Sequence, residues 1–170
     1  DSYYKDFGNL TFDDRGKINF DHPESFDHKM LKDHIVLLLK NEKIKSPIYD
    51  YRKHKRKKLS KTIYPNKLIF IEGTLIFYFE EIVKFMSLKI FINAKEKVRF
   101  TRRLNRDFIY RARTKESIHE QYHKTVKPMY DEYVRPLKTK ADLIISGESE
   151  LTDNRNKIIR EIDSMIKGNL

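Results

Sequence analysis

Three short runs of apolar residues constrain the fold more than any other feature of the chain. They are KLIFIEG at 67–73, LKIFINA at 88–94 and ADLIIS at 141–146. Each run is continuous rather than alternating, which is typical of parallel strands covered on both faces of a sheet. Helical periodicity flanks and separates the runs, at 23–40, 95–107, 115–134 and 151–167. This order of strands and helices predicts an α/β fold.

A basic segment lies between the first predicted helix and the first predicted strand. Residues 45–65 read KSPIYDYRKHKRKKLSKTIYP, with two short extended pieces flanking a basic centre. The pattern predicts a hairpin that projects from the main sheet. The basic centre also resembles a nuclear-localisation or nucleic-acid patch, but we favour a solvated hairpin tip near an anionic site. No repeat or Pro/Gly/Ser-rich linker interrupts the chain, so we expect residues 1–170 to form one domain.

The overall charge indicates what kind of partner the chain binds. Its net charge of +11 favours phosphorylated small molecules, nucleic acid or an acidic membrane face. The absence of cysteine excludes disulfides and thiolate zinc sites and suits the cytoplasm. The longest apolar stretch, at 68–79, contains Glu72 and is shorter than the roughly 20 residues that cross a bilayer. We therefore expect no membrane partner.

The acidic residue at the end of the first apolar run is a candidate ligand. Glu72 directly precedes Gly73, and a buried carboxylate there is costly unless it meets a metal or a hydrogen-bond donor. Strand ends also line the ligand crevice of open α/β sheets. The alternative is a Glu that ends its strand by bonding to backbone amides.

Four arginines share one face of a predicted helix. They are Arg99 and, three, four and seven positions after it, Arg102, Arg103 and Arg106. Like charges on one face repel each other unless an anion meets them, so we favour an anionic ligand over a merely solvated face.

Five motifs together resemble the uridine–cytidine kinases. They are DSYY at 1–4, FDHP at 20–23, IYDY at 48–51 followed by His54, IFIEG at 69–73 and RRLNRDFIYRART at 102–114. Each is weak alone, but all five occur in the order and spacing of that family, from residue 1 to about 147. The resemblance implies a P-loop NTPase-like, doubly wound parallel sheet with the small projecting hairpin.

The family's phosphate-binding loop is not found in this sequence. No pair of glycines has the G-x-x-x-x-G-K spacing that cradles phosphates. In the family a first strand, that loop, a helix and a second strand precede the DSYY-type motif. We therefore expect the chain to be the carboxy-terminal four-fifths of such a kinase, with the amino-terminal strands and P-loop missing.

The resemblance also implies roles for individual residues. Asp1 accepts or orients the proton of the ribose 5′-hydroxyl, and Glu72 binds Mg²⁺. Arginines of the lid, residues 99–115, close over the triphosphate of ATP or GTP. The matching lid arginines are Arg103, Arg106, Arg111 and Arg113. The nucleoside pocket comprises Tyr4, Phe20, Asp21, Tyr49, Tyr51, His54, Arg103 and Gln121.

Within that pocket the chemistry of each residue type suits a nucleoside. Aromatic rings stack on the pyrimidine while His54 reads its position 4. Asp21 accepts hydrogen bonds from both ribose hydroxyls, which rejects a sugar lacking one. The alternatives are that the aromatic residues form ordinary core and that Asp21 caps the helix beginning at Pro23.

The resemblance implies an ATP-dependent uridine/cytidine kinase of pyrimidine salvage, a homo-oligomer that is often a tetramer. It would form UMP or CMP. One alternative is a P-loop-deficient relative that binds nucleosides or regulates without kinase activity. Another is a basic RNA-binding module, which we do not favour because its aromatics would be interleaved with Lys and Arg on an exposed sheet.

Overall fold

The computed structural model describes residues 2–111 and 113–168. Asp1, predicted to act in catalysis, and Ala112, within the predicted lid, lie outside the described residues. The α-helices are α1 (Phe12–Gly16), α2 (His28–Leu39), α3 (Glu80–Val83), α4 (Glu96–Tyr110), α5 (Lys115–Gln121), α6 (Lys127–Met129) and α7 (Leu151–Gly168). The strands are β1 (Ile44–Asp50), β2 (Lys55–Ile63), β3 (Ile90–Asn93) and β4 (Leu143–Ser146). None of the helices in the described ranges is long and apolar enough to cross a membrane.

Two of the three predicted strands form a parallel sheet. β3 and β4 pair in register from Ile90 with Leu143 to Asn93 with Ser146. The amide of Gly147 donates to the carbonyl of Asn93 and continues the ladder by one bond. These strands and the helices between them confirm the predicted α/β fold.

The prediction of a strand at 67–73 is wrong for the described chain. These residues have no regular secondary structure, and Leu68, Ile69 and Phe70 are exposed. A strand forms only when a neighbour accepts its backbone hydrogen bonds, and no strand of the described residues pairs with this run. Of the predicted doubly wound sheet, the described residues contain the β3–β4 pair.

Strands β1 and β2 form an antiparallel hairpin. Ile44 pairs with Ile63 at its open end, and Asp50 pairs with Lys55 beside the turn. The register shifts between Pro47 and Tyr49. Proline has no N–H to donate, so an irregularity is expected there.

Helix α2 begins later than the sequence predicts. Pro23–Ser25 form a 3-10 turn in which His22 Nδ1 accepts from the Glu24 amide. The cap of α2 is Asp27, whose carboxylate accepts from the Met30 amide at 3.1 Å. Asp21 therefore does not cap this helix, and its carboxylate is available elsewhere.

The single helix predicted at 115–134 is divided in the structure. After α5 the chain forms a π-helical turn at Tyr122–Val126, the short α6, and a second π-helical turn at Tyr130–Val134. Pro128 has no N–H to donate, and beside it the Lys127 amide donates to the Tyr122 carbonyl five residues earlier. A 3-10 helix, Arg135–Lys140, then leads to β4.

The main hydrophobic core lies where α2, the 75–79 segment, α3 and the 3-10 helix at 135–140 meet. Its buried members are Leu31, Ile35, Leu75, Ile76, Phe77, Phe79, Ile82 and Leu137. Tyr3 and Phe26 pack against this cluster, and Tyr4 forms a β-bridge with Phe26. The segment that contains Tyr3 and Tyr4 is therefore held next to the start of α2.

Candidate active site

The structure brings aromatic residues from three distant segments together. Measured between ring centroids, Tyr4 lies 5.4 Å from Phe20 and 5.2 Å from Tyr49, and Phe20 lies 6.2 Å from Tyr49. His54 stacks on Phe20 at 5.3 Å with planes only 16° apart. Tyr51 contacts Tyr49 at 5.6 Å. We call these five rings the aromatic cluster.

A charged side chain holds two of the segments that supply these rings. Arg56 Nε donates to the Tyr4 carbonyl at 2.9 Å, and its Nη2 lies 2.9 Å from Asp27 Oδ2. The hairpin is therefore tied both to the DSYY motif and to the cap of α2.

The hydroxyl of Tyr49 is the unusual polar group of the cluster. Tyr49 is only 6% exposed, and its hydroxyl has no hydrogen-bond partner among the described residues. Burial raises the pKa of Tyr49, so the phenol is neutral and has a proton to donate. An unsatisfied buried hydroxyl costs about 1–3 kcal/mol, which a ligand with an acceptor atom would recover.

His54 is placed by an uncommon backbone conformation. Its φ of 50° lies in the left-handed region, and it directly precedes β2. Burial lowers the pKa of His54, and Arg113, Arg15 and Arg111 lower it further. A neutral imidazole offers one donor and one acceptor nitrogen.

Next to the first half of α4 lies a cleft of about 280 Å³ with a carboxylate and four arginines in its wall. Asp21 is that carboxylate, and Arg99, Arg102, Arg103 and Arg106 are the arginines. Arg103 Nη1 lies 3.4 Å from Asp21 Oδ1, and Nη2 donates to Gln121 Oε1 at 3.4 Å. Asp21 also influences Tyr4, because burial and the nearby Asp21 charge raise the pKa of Tyr4 to about 12.

The arginine face is organised by a carboxylate that the sequence analysis did not single out. Asp107 is 1% exposed and forms ion pairs with three guanidinium groups. Its oxygens lie 2.8 Å from Arg106 Nε, 3.5 Å from Arg111 Nε and 3.5 Å from Arg103 Nε. Asp107 is four residues from both Arg103 and Arg111, so the i,i+4 pattern was a signal that could have found it.

The two remaining arginines of the α4 face are held by other groups. Arg99 stacks on Tyr130 at 3.6 Å and donates to the Ala94 carbonyl at 2.6 Å. Arg102 donates to the Gly147 carbonyl just after β4. Each guanidinium of the face thus has a partner within the chain, and Arg102 and Arg106 are also exposed to solvent.

The predicted lid arginines that follow α4, Arg111 and Arg113, contact the hairpin and α5. The Arg111 guanidinium lies 4.5 Å from the Tyr51 ring. Arg113 donates to Gln121 Oε1 and, at 3.2 Å, to the Ser117 carbonyl. Gln121 thus accepts from both Arg103 and Arg113. This links the predicted nucleoside pocket to the predicted lid.

The predicted burial of Glu72 is wrong, because Glu72 is exposed and lies outside any strand. Burial raises the pKa of Tyr51, Arg111 lowers it, and the charge of Glu72 raises it by a smaller amount. Glu72 is therefore close enough to the aromatic cluster to affect it electrostatically. Residues 2–111 and 113–168 contain no group of three or more acidic or histidine side chains that could hold a metal ion. One carboxylate is nevertheless compatible with Mg²⁺, which is commonly bound through one or two carboxylates, substrate phosphates and water.

Comparison with known proteins gives consistent matches over most of the chain. The model of the Phosphoribulokinase / Uridine kinase family matches residues 1–152. A uridine kinase of Listeria monocytogenes serotype 4a (strain HCC23) is 43% identical over 150 residues, covering 88% of this chain and 72% of the relative. A uridine kinase of Lactobacillus johnsonii is 38% identical over 170 residues, covering 98% of this chain and 81% of that protein.

A solved structure supports the fold alone. It is described as a "putative fructose transport system kinase" from Silicibacter sp. TM1040 and superposes with a TM-score of 0.64. The match covers 85% of this chain and 71% of the other at 16% identity.

Proposed function

Because the chain belongs to the phosphoribulokinase / uridine kinase family, we propose that it supplies the acceptor site and lid for phosphorylation of uridine or cytidine at the 5′-hydroxyl, with ATP or GTP as the phosphate donor. The observation that carries the proposal is the position of Asp21. Its carboxylate faces Arg103 in the wall of a charged cleft and also influences Tyr4 of the aromatic cluster.

The aromatic cluster supplies the base-binding side of the site. Rings from the DSYY, FDHP and IYDY motifs offer flat apolar surface to a pyrimidine, and the Tyr49 hydroxyl offers an unused donor. Neutral His54 can donate to the 4-carbonyl of uridine or accept from the 4-amino group of cytidine. The pocket therefore suits both nucleosides.

Asp21 is the group that selects the sugar. A carboxylate can accept hydrogen bonds from the 2′- and 3′-hydroxyls together. A 2′-deoxynucleoside would leave one of these bonds unmade, and a site built around a hydroxyl discriminates strongly against its absence. Arg103 orients Asp21 through the 3.4 Å contact.

The arginines act on the phosphates. In phosphoryl transfer the 5′-oxygen attacks the terminal phosphorus, the bond to the leaving diphosphate breaks, and the hydroxyl proton passes to a base. By family resemblance that base is Asp1. Arg106, Arg111 and Arg113, together with Arg103, stabilise the charge on the transferring group. Mg²⁺, held in part by Glu72, would neutralise phosphate charge when bound.

Isothermal titration calorimetry with uridine tests this proposal directly. We expect uridine to bind, 2′-deoxyuridine to bind at least tenfold more weakly, and Asp21→Ala to lose most of the uridine affinity. Asp131→Ala is the matched control, because Asp131 pairs with Lys127 and Arg135 and does not line the cleft. A folded wild-type sample that binds neither nucleoside would overturn the proposal, as would equal binding by the Asp21→Ala variant.

A further inference from the structure

We propose that Asp107 is a positioning residue that couples the nucleoside side of the cleft to the phosphate side. The inference rests on the function proposed above, because it assigns the two sides their ligands. Asp107 lies within α4 and is the most buried of the carboxylates near the cleft, with 1% of its surface exposed.

The two carboxylate oxygens of Asp107 face different arginines. Oδ1 lies 2.8 Å from Arg106 Nε and 3.5 Å from Arg111 Nε, both on the lid side. Oδ2 lies 3.5 Å from Nε of Arg103, the lid arginine that also contacts Asp21 on the nucleoside side. One side chain therefore contacts both sets of guanidiniums. A rotation that improves one set of contacts changes the other.

Arg103 carries this contact to the nucleoside site. Its guanidinium meets Asp107 through Nε, Asp21 through Nη1 and Gln121 through Nη2, at 3.4–3.5 Å in each case. Arg103 Nε and Asp107 Oδ2 both lack a hydrogen-bond partner among the described residues. A small movement of Arg103 toward Asp107 would complete a hydrogen bond between them.

The burial of the charge itself argues for such a role. A buried carboxylate is costly unless cations surround it, and removing a single partner leaves an uncompensated charge. The helix does not require Asp at this position, because aspartate is among the weaker helix formers. The carboxylate is therefore best explained by the three arginines that it holds.

Positive coupling between the two ligands follows. A polyphosphate that draws Arg106 and Arg111 into fixed positions also fixes Asp107, and with it Arg103 and Asp21. The nucleoside then meets a site that is already ordered, so each ligand raises the affinity for the other by the same factor. Coupling factors of this kind are commonly about 5–150-fold.

The test measures uridine affinity by calorimetry with and without saturating inorganic tripolyphosphate. For the wild-type chain we expect tripolyphosphate to raise uridine affinity about fivefold or more. For Asp107→Asn, which keeps the shape but removes the charge, we expect both ligands to bind and the coupling factor to fall to about one. Asp107→Glu, which restores the charge, should recover part of the coupling, and Asp131→Asn should leave it unchanged.

A purely structural role would give a different result. Loss of packing would weaken both ligands, or lower the melting temperature, and leave the coupling factor as it is in the wild type. If Asp107→Asn fails to fold, Arg106→Gln removes the closest partner of Oδ1 at a half-exposed position. Measured at tripolyphosphate concentrations that saturate this variant, it should also abolish coupling. The inference fails if the wild type binds uridine without coupling to tripolyphosphate, or if the charge-removing variants keep it. Absence of uridine binding by folded wild-type protein would instead overturn the proposed function.

Discussion

The aromatic cluster and the exposed face of the β3–β4 sheet both bring large apolar side chains together, yet they differ in what surrounds those side chains. In the cluster, rings from separate segments cover one another and charged groups converge beside them. On the sheet face, Ile92 is 65% exposed, and Phe70, which lines the same cavity, is 72% exposed. Leu68, Phe70, both strands and α7 line an open cavity of about 710 Å³ there.

The larger cavity is therefore not the better candidate for the chemistry. Apolar side chains dominate its lining, which includes Leu68, Phe70, Ile92 and Ile145. The cleft beside Asp21 has less than half that volume but combines a carboxylate with four arginines. A binding site is identified by its convergent polar groups together with its shape, so size alone misleads in this molecule.

The largest effect expected from this comparison concerns two isoleucines. Ile82 is 0% exposed within the main core, whereas Ile92 lies on the open sheet face. We expect Ile82→Ala to lower the free energy of unfolding by about 2–5 kcal/mol, through lost burial and a cavity. Ile92→Ala should cost about 0.5 kcal/mol or less. Urea unfolding of both variants measures the difference, and equal losses would show that the sheet face is buried in solution.

The next effect concerns the ties that hold the cluster together. Arg56→Gln removes an ion pair to Asp27 and a hydrogen bond to the Tyr4 carbonyl, at a position where Arg56 is largely buried. We expect a loss of about 1.5–3 kcal/mol, as for hydrogen bonds of charged groups. The control is Lys127→Gln, whose partner Glu96 is nearly half exposed, and an exposed pair contributes about 0–1 kcal/mol. Similar losses for both variants would mean that Arg56 does not fix the hairpin.

The same contrast shows which parts of the fold the sequence could predict. Local signals located β3, β4, α2, α4 and α7, because periodicity and continuous apolar runs act over a few residues. The run at 67–73 carries an equally strong signal, but a strand also needs a partner, and that is a property of the whole chain. The helix predicted at 115–134 is divided around Pro128, whose missing N–H a periodicity of apolar residues does not reveal.

The residues of the candidate site could be predicted from the sequence only in part. Family resemblance named Tyr4, Asp21, Tyr49 and His54, and the structure brings these residues into one region, although no local pattern specifies such a meeting of distant segments. Asp107 was missed despite its i,i+4 spacing from two arginines. The prediction considered only the repulsion among the arginines of this helix and not the acidic residue between them. Exposure of Glu72 could not be foreseen, since the prediction of its burial depended on the strand at 67–73.

A smaller effect would sharpen the interpretation of the aromatic cluster as a ligand site. Tyr49→Phe removes a buried hydroxyl without a partner in the described chain, so unfolding free energy should stay constant or rise by up to about 1 kcal/mol. Uridine affinity should fall about tenfold, the equivalent of 1.4 kcal/mol. Tyr133→Phe is the control, because its hydroxyl contacts His22 Nε2 at 3.2 Å. That variant should lose stability and keep uridine affinity. Lost stability in Tyr49→Phe would reveal a structural partner for the hydroxyl.

The smallest expected effect is a pH dependence that originates in the cluster. Burial lowers the pKa of His54 from its usual 6.5, with Arg113, Arg15 and Arg111 lowering it further. As pH falls below about 6.5 the unfolded chain therefore binds a proton at His54 before the folded chain does, and stability decreases until the pH passes the folded pKa. Above pH 6.5 both states are neutral at His54, and this residue contributes no slope.

His54→Asn isolates that contribution, because asparagine tolerates the positive φ of 50° at this position. His34, whose pKa burial also lowers, remains in the variant, so only the difference in slope from the wild type belongs to His54. We expect unfolding free energies measured in urea at pH 7.5 and pH 5.0 to differ less in His54→Asn than in the wild type. Identical slopes for His54→Asn and the wild type would mean that His54 is solvated in both states. In that case the cluster would be as open to water as the sheet face with which it is compared.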